Sequence, residues 1–236
     1  MSNEIVVSLC DHSANMVRPW AEAGYECYAV DLKNDGSTEQ LGNGLIHYVE
    51  ADIREWEPPK DSARIGFGFP PCTHLAISGA KHFKDKGLSA LAESIELVAA
   101  CRDTLADLDC PWMIENPMST LSTYWRSPDY KFDPYEFDGY TDRNERYTKE
   151  TWLWTAGGFH MPLPDGVGRS EADDRIHKMG PSDDRSEKRA ETPTGFAQAV
   201  YLSHEKDGYT RPGSGTEQMK LIADGKGADN AGEAVE

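Results

Sequence analysis

The sequence predicts an α/β fold with a mostly parallel sheet and helices on both faces, and three observations carry that prediction. Short β-rich runs (EIVVSL, ECYAVDL, GLIHYVEADI, ARIGFGF and CPWMIENP) alternate with segments of helical spacing, the pattern of strands joined by crossover helices. Each of these runs ends in a polar feature, as strands do where an open sheet meets a ligand crevice. The length of 236 residues suits one domain of this kind with a sizeable core.

Taken in order, EIVVSL (4–9) is the first strand, CDHSAN a polar turn, and MVRPWAEAGY a helix ending at Gly24. ECYAVDL forms a strand ending in Asp31, GLIHYVEADI one ending near Asp52, and ARIGFGF one ending at a Pro-Pro-Cys block. Across 88–108, Leu88, Leu91, Ile95, Val98, Cys101, Leu105 and Leu108 recur at steps of three and four, the clearest helix in the chain. CPWMIENP (110–117) reads as a buried strand whose end carries Glu115 and Asn116. YTKETWLWTAGG is a further strand, and TPTGFAQAVYLS a closing helix with Pro193 near its start. Residues 1–204 form the expected single domain, and 205–236, polar and rich in Gly, Asp, Glu and Lys, a loosely ordered tail.

Composition excludes some classes. Five cysteines, at 10, 27, 72, 101 and 110, show no CxxC pairing, and the N-terminus carries no basic-then-apolar leader, which predicts a reduced, cytoplasmic protein. No apolar run reaches a membrane-spanning length, so no membrane partner is expected. The formal net charge of −17 repels nucleic acid at long range. A local positive cleft is compatible with it, and Arg126, Lys131, Arg143, Arg146 and Lys149 cluster in one stretch.

The strand ends narrow the ligand. Asp31, about 20 residues after the first turn, suits a ribose diol because a carboxylate accepts two hydroxyl protons at once. Asp52 at the next strand end suits an adenine amine. A dinucleotide fold needs GxGxxG in its first turn so that backbone can approach a pyrophosphate. CDHSANMVRPW has no glycine. S-adenosylmethionine carries no such phosphate and fits this looser turn, with Asp11, His12, Ser13, Asp31, Asp52, Phe69 and Pro71 as its candidate contacts. Cys72 with His74 lacks a second ligand pair for zinc, and no metal is expected.

FPPCTHLAISG after the fourth strand, IENP after the fifth and the basic RNERYTKETWLW resemble the DNA cytosine-C5 methyltransferase family, in particular its compact phage-type members. The resemblance spans residues 4 to 204. It implies a Rossmann-like S-adenosylmethionine-dependent methyltransferase fold, a double- or single-stranded DNA substrate, and methyl transfer to carbon 5 of cytosine. The chemistry explains the residue pair. Carbon 5 is a poor nucleophile until a thiolate adds at carbon 6, and charge developing on the ring then calls for an acid at nitrogen 3. Cys72 matches the thiolate and Glu115 the acid. The arginine strand of the family aligns either on Asn144-Glu145-Arg146 or on Lys149-Glu150-Thr151, so Arg146 and Lys149 both remain. Thr73, His74 and Asn116 are candidate substrate contacts, and Thr192 stands where the family has an asparagine.

An amino-methyltransferase loop resembles FPPC too, but Phe69 cannot accept from an exocyclic amine and Cys72 cannot stack on a base. The glycine-rich first motif of the family is absent, and Asp31 replaces its glutamate. Between the basic strand and the closing helix, residues 155–192 are too few for a full target-recognition domain. Arg169, Arg175, Lys178, Arg185, Lys188 and Arg189 offer a few contacts there, so specificity is expected to be short or relaxed. RNA or a free cytosine nucleotide stays open as the substrate, as does a catalytically silent binding relative.

Overall fold

The computed structural model describes residues 4–60, 62–179 and 189–205. Eight strands form one sheet in the order β3-β4-β2-β1-β5-β6-β8-β7. They are β1 (Ile5–Leu9), β2 (Glu26–Asp31), β3 (Thr38–Leu41), β4 (Gly44–Glu50), β5 (Ala63–Gly68), β6 (Trp112–Pro117), β7 (Tyr130–Phe132) and β8 (Thr151–Ala156). The α/β class is as expected from the sequence, but the sheet is mixed rather than mostly parallel. Its five central strands run parallel, while β3 pairs antiparallel with β4 at one edge, and β8 pairs antiparallel with both β6 and β7 at the other.

Strand β3, strand β7 and the 3-10 turn Pro134–Tyr140 had no counterpart in the sequence reading. β3 is short, and its four residues alternate between exposed and half-exposed, so it offers no apolar run to recognise. β7 has only three residues.

Every residue of β1 is buried, because this strand lies at the centre with layers above and below. Its alternation divides the core: Ile5, Val7 and Leu9 join one cluster, and Val6 the other. The first cluster is covered by α2 (Phe83–Asp107), through Cys101 and Leu105. Glycines let that helix come close. A Cβ on Gly66 would stand 2.5 Å from the Leu105 Cδ2 atom. α2 is interrupted at Gly87, whose φ of 78° and ψ of 175° are non-helical, so the continuous helix begins at Leu88, as its apolar spacing predicts.

The other face carries α1 (Arg18–Glu22) and the closing helix. α3 (Leu121–Tyr124) and α4 (Arg175–Lys178) are single turns, and the closing helix α5 spans Thr194–His204. Trp20, Phe196 and Val200 pack there on Phe67 and Met113. Helices therefore lie on both faces, as expected. Among the described residues no helix is long and apolar enough to cross a membrane. The expected tail beyond Glu205 lies outside the described residues, as do Arg185 and Lys188.

Strand order reverses at β1: the chain builds β2 and β4 on one side of it, then β5 and β6 on the other. The carboxyl ends of β4, β2, β1, β5 and β6 thus form one edge, and the crevice of such a sheet opens at the reversal.

Candidate active site

At the end of β5 the chain runs through Pro70-Pro71-Cys72, and this loop is stitched to the segment that follows β6. The Asn116 side-chain amide donates to the Pro70 carbonyl at 3.1 Å. Thr120 N–H donates to Leu75 O at 3.0 Å and Ile77 N–H to Met118 O at 3.0 Å. Leu75 is fully buried in a cluster with Leu121, Trp152 and Trp154. Within the loop, the Cys72 carbonyl accepts from the N–H groups of Leu75 and Ala76 at 2.9 and 2.8 Å. The two sequence blocks separated by a long helix are therefore one structural unit, which holds Cys72 beside the end of β6.

Glu115 on that strand faces a small pocket lined by Phe69, Glu115, Phe132, Lys149, Thr151, Thr192, Pro193 and Phe196. Burial raises the Glu115 carboxyl above the ordinary carboxylate range, with Lys149 pulling it back. Burial also raises the Cys72 thiol, and Glu115 adds to that shift, whereas Lys149 and Arg189 oppose it. The Cys72 thiol, the Glu115 carboxyl and Lys149 thus act on one another, and Arg189 acts on the thiol.

Lys149 is held there by its surroundings. Its N–H donates to the Asp133 carboxylate at 2.6 Å and its Nζ to the Glu191 carbonyl at 3.2 Å. Upstream, Asp138 accepts from Glu145 N–H at 2.8 Å and from Arg146 Nε at 2.7 Å. The two alignments left open by the sequence now separate: Lys149 lines the pocket, while Arg146 is ion-paired to Asp138 and half exposed. Glu145, next to Arg146, is buried and clamps the start of α5. It accepts from Thr194 N–H at 2.7 Å, Thr194 Oγ1 at 2.8 Å and Gly195 N–H at 2.9 Å. Nothing in the sequence pointed to this clamp, because its partners lie about 50 residues downstream. The aromatic walls Phe132 and Phe196 were equally unforeseen; they stack with centroids 4.1 Å apart.

Asn116, expected against substrate, is buried and engaged with the loop carbonyl, its Oδ1 lacking a partner among the described residues. Thr73 is exposed, and its carbonyl accepts from Lys86 Nζ at 2.5 Å. The His74 Nδ1 atom is buried without a partner among the described residues. Phe69 lines the pocket and Pro71 is exposed on the loop.

The cofactor candidates gather along the same edge. The turn after β1 has no glycine, yet Cys10 and Ala14 adopt positive φ of 55° and 54°, a conformation glycine usually supplies. Asp11 holds it. Its buried carboxylate accepts from Ser8 Oγ at 2.7 Å, Ser13 Oγ at 3.0 Å and Ala14 N–H at 2.8 Å, and burial raises its pKa against those bonds. Asp11 and Ser13 therefore shape the turn from within, whereas His12 is exposed and paired with Asn34 at 2.9 Å. Asp31 ends β2 next to Leu32, which is 66% exposed. Asp52 is bound by Arg54 through both carboxylate oxygens, which lowers its pKa.

No protein-family model matches the chain, and no curated protein matches it.

Proposed function

We propose that this chain is an S-adenosylmethionine-dependent methyltransferase acting on carbon 5 of cytosine in DNA, through a covalent adduct of Cys72. The observation that carries the reading is that Glu115 and Lys149 line one pocket and both act on the Cys72 thiol beside it. We read the fold as the Rossmann-like methyltransferase type, on the strength of its five parallel strands, its reversal at β1 and its helices on both faces.

For the cofactor, Asp31 with the exposed Leu32 beside it makes a fitting pair: a carboxylate for the ribose diol and an apolar surface for the adenine ring. The turn from Cys10 to Ala14 and Phe69 complete that candidate site. Bound S-adenosylmethionine supplies an electrophilic methyl group. The remaining chemistry belongs to the chain. Cys72 adds as thiolate to carbon 6, and Lys149 and Arg189 oppose the burial that keeps the thiol protonated. Glu115, its carboxyl kept protonated more readily by burial, donates to nitrogen 3 as charge develops on the ring. Lys149 fits the ring's carbonyl oxygen. Removal of the carbon 5 proton then lets the thiolate leave.

Among the described residues of 157–179, the helical elements are one 3-10 turn, Arg169–Glu171, and the single turn α4. That supports short or relaxed specificity, and keeps a free cytosine nucleotide or RNA as the second reading. The test is nucleoside mass spectrometry of DNA, RNA and dCMP, each incubated with the protein and S-adenosylmethionine. The reading expects 5-methylcytosine in DNA. A product in dCMP or RNA alone selects the second reading, and no methylated cytosine in any of them contradicts both.

A further inference from the structure

Cys10 and Cys101 lie far apart in sequence, yet they meet beneath the turn after β1. Leu9 is registered with Gly68 on the neighbouring strand. Because Gly68 has no side chain, α2 settles against the sheet there: a Cβ on Gly68 would be 3.3 Å from the Cys101 Cβ. Successive strand residues normally point to opposite faces, which would send Cys10 away from Leu9 and from α2. Instead the left-handed backbone at Cys10, φ 55°, turns its side chain back, and both residues pack in the cluster that contains Cys101. Interaction with Cys10, ahead of burial, raises the Cys101 thiol above the ordinary thiol range. Cys101 is fully buried and Cys10 only partly so.

We propose that Cys10 and Cys101 form a redox-sensitive dithiol, closed to a disulfide by hydrogen peroxide, which alters the turn from Cys10 to Ala14. The half-exposed Cys10 reacts first. Its thiolate attacks one peroxide oxygen, the O–O bond breaks, and hydroxide leaves to take a proton and become water; Cys10 is then a sulfenic acid. The Cys101 sulfur attacks the Cys10 sulfur, and the sulfenic hydroxyl departs with the Cys101 proton as a second water. Two thiols are oxidised and one peroxide is reduced. An S–S bond of about 2.05 Å is shorter than any contact between unbonded thiols, so closure draws the turn toward α2 and disturbs the Asp11 clamp at its centre. Resting on the function proposed above, this turn faces S-adenosylmethionine, and the oxidised chain binds it less well.

The test treats the full chain with hydrogen peroxide, alkylates the remaining thiols and maps the peptides. The expected result is a cross-link between the Cys10 and Cys101 peptides with a mass loss of about 2 Da, absent in Cys10→Ser and in Cys101→Ala and retained in Cys72→Ala. Amide hydrogen exchange across residues 11–17 should change on oxidation, and calorimetric affinity for S-adenosylmethionine should drop at least tenfold, with Cys101→Ala resistant to the peroxide effect. Alkylation of both thiols after peroxide, or a cross-link to Cys72 in their place, overturns the proposal. Unchanged exchange and affinity in the cross-linked chain overturn its effect on the turn. A reduced chain that binds no S-adenosylmethionine contradicts the proposed function instead, and the peptide map and the exchange still decide the dithiol.

Discussion

At the scale of single residues, two acids, Asp11 and Glu115, are placed for different purposes. Asp11 has three donors for its carboxylate; Glu115 faces the pocket. Burial raises the folded-state pKa of Glu115 above its value in the unfolded chain, so the native state binds the extra proton, and its ionisation opposes folding as pH rises above the ordinary carboxylate range. Glu115→Gln should therefore raise the thermal midpoint at about pH 8 more than at about pH 4, even as it removes the acid. Equal shifts at both ends in a calorimetric scan would contradict this. Cys72 titrates above the ordinary thiol range because burial and Glu115 outweigh Lys149 and Arg189. Thiolate chemistry should then gain rate on the alkaline side, and Lys149→Ala or Arg189→Ala should each move that rise to higher pH. A pH profile of adduct formation unchanged in both variants would sink the role given to the cations.

At the scale of elements, the start of α5 is fastened by a residue from outside the helix. It has no side-chain cap of its own at Pro193, and Glu145 supplies the acceptors that its first N–H groups need. Glu145→Ala should destabilise the fold by about 1 to 3 kcal/mol through the donors left unpaired, and should loosen the Thr192-Pro193 wall of the pocket. Urea unfolding checks the first effect, and a loss below about 0.5 kcal/mol would refute the clamp. The contrast with the legible parts is physical. Periodicity over Leu88 to Leu108 announced α2, since the apolar residues from Leu91 to Leu108 pack in the core at steps of three and four, whereas Leu88 is exposed. The strand-ending polar residues Asp31, Cys72 and Glu115 announced the edge, because an apolar run that stops in an acid or a thiol has few structural motives. Nothing local announced the Glu145 clamp, the choice of Lys149 over Arg146, or the short edge strands. Those depend on which distant backbone donors arrive, and a four-residue strand such as β3 buries too little to leave a pattern.

At the scale of the whole molecule, the far end of the sheet is fastened by histidines. His204 stacks on His160 with centroids 4.0 Å apart, donates to its carbonyl at 3.0 Å, and offers its own carbonyl to Arg64. Burial, with His160 and Arg64 nearby, pushes its pKa down to about 4. The native state therefore holds the neutral ring while the unfolded chain protonates it, and stability is lost as pH falls through the window from about 6.5 to about 4. His204→Gln should flatten that limb of a plot of thermal midpoint against pH; an unaltered limb would contradict the assignment. Against a net charge of −17, the opposite edge has Lys149 in the pocket and Arg189 acting on the Cys72 thiol. The central claim is that a nucleophile works there. The most direct measurement is trapping with a DNA oligonucleotide that carries 5-fluorocytosine, whose carbon 5 has no proton to lose after methyl transfer. The account predicts a denaturant-stable protein–DNA adduct that requires S-adenosylmethionine, maps to Cys72 and is missing in Cys72→Ser. Methylation of cytosine at carbon 5 that persists in Cys72→Ser, or an adduct mapped to another residue, would contradict it.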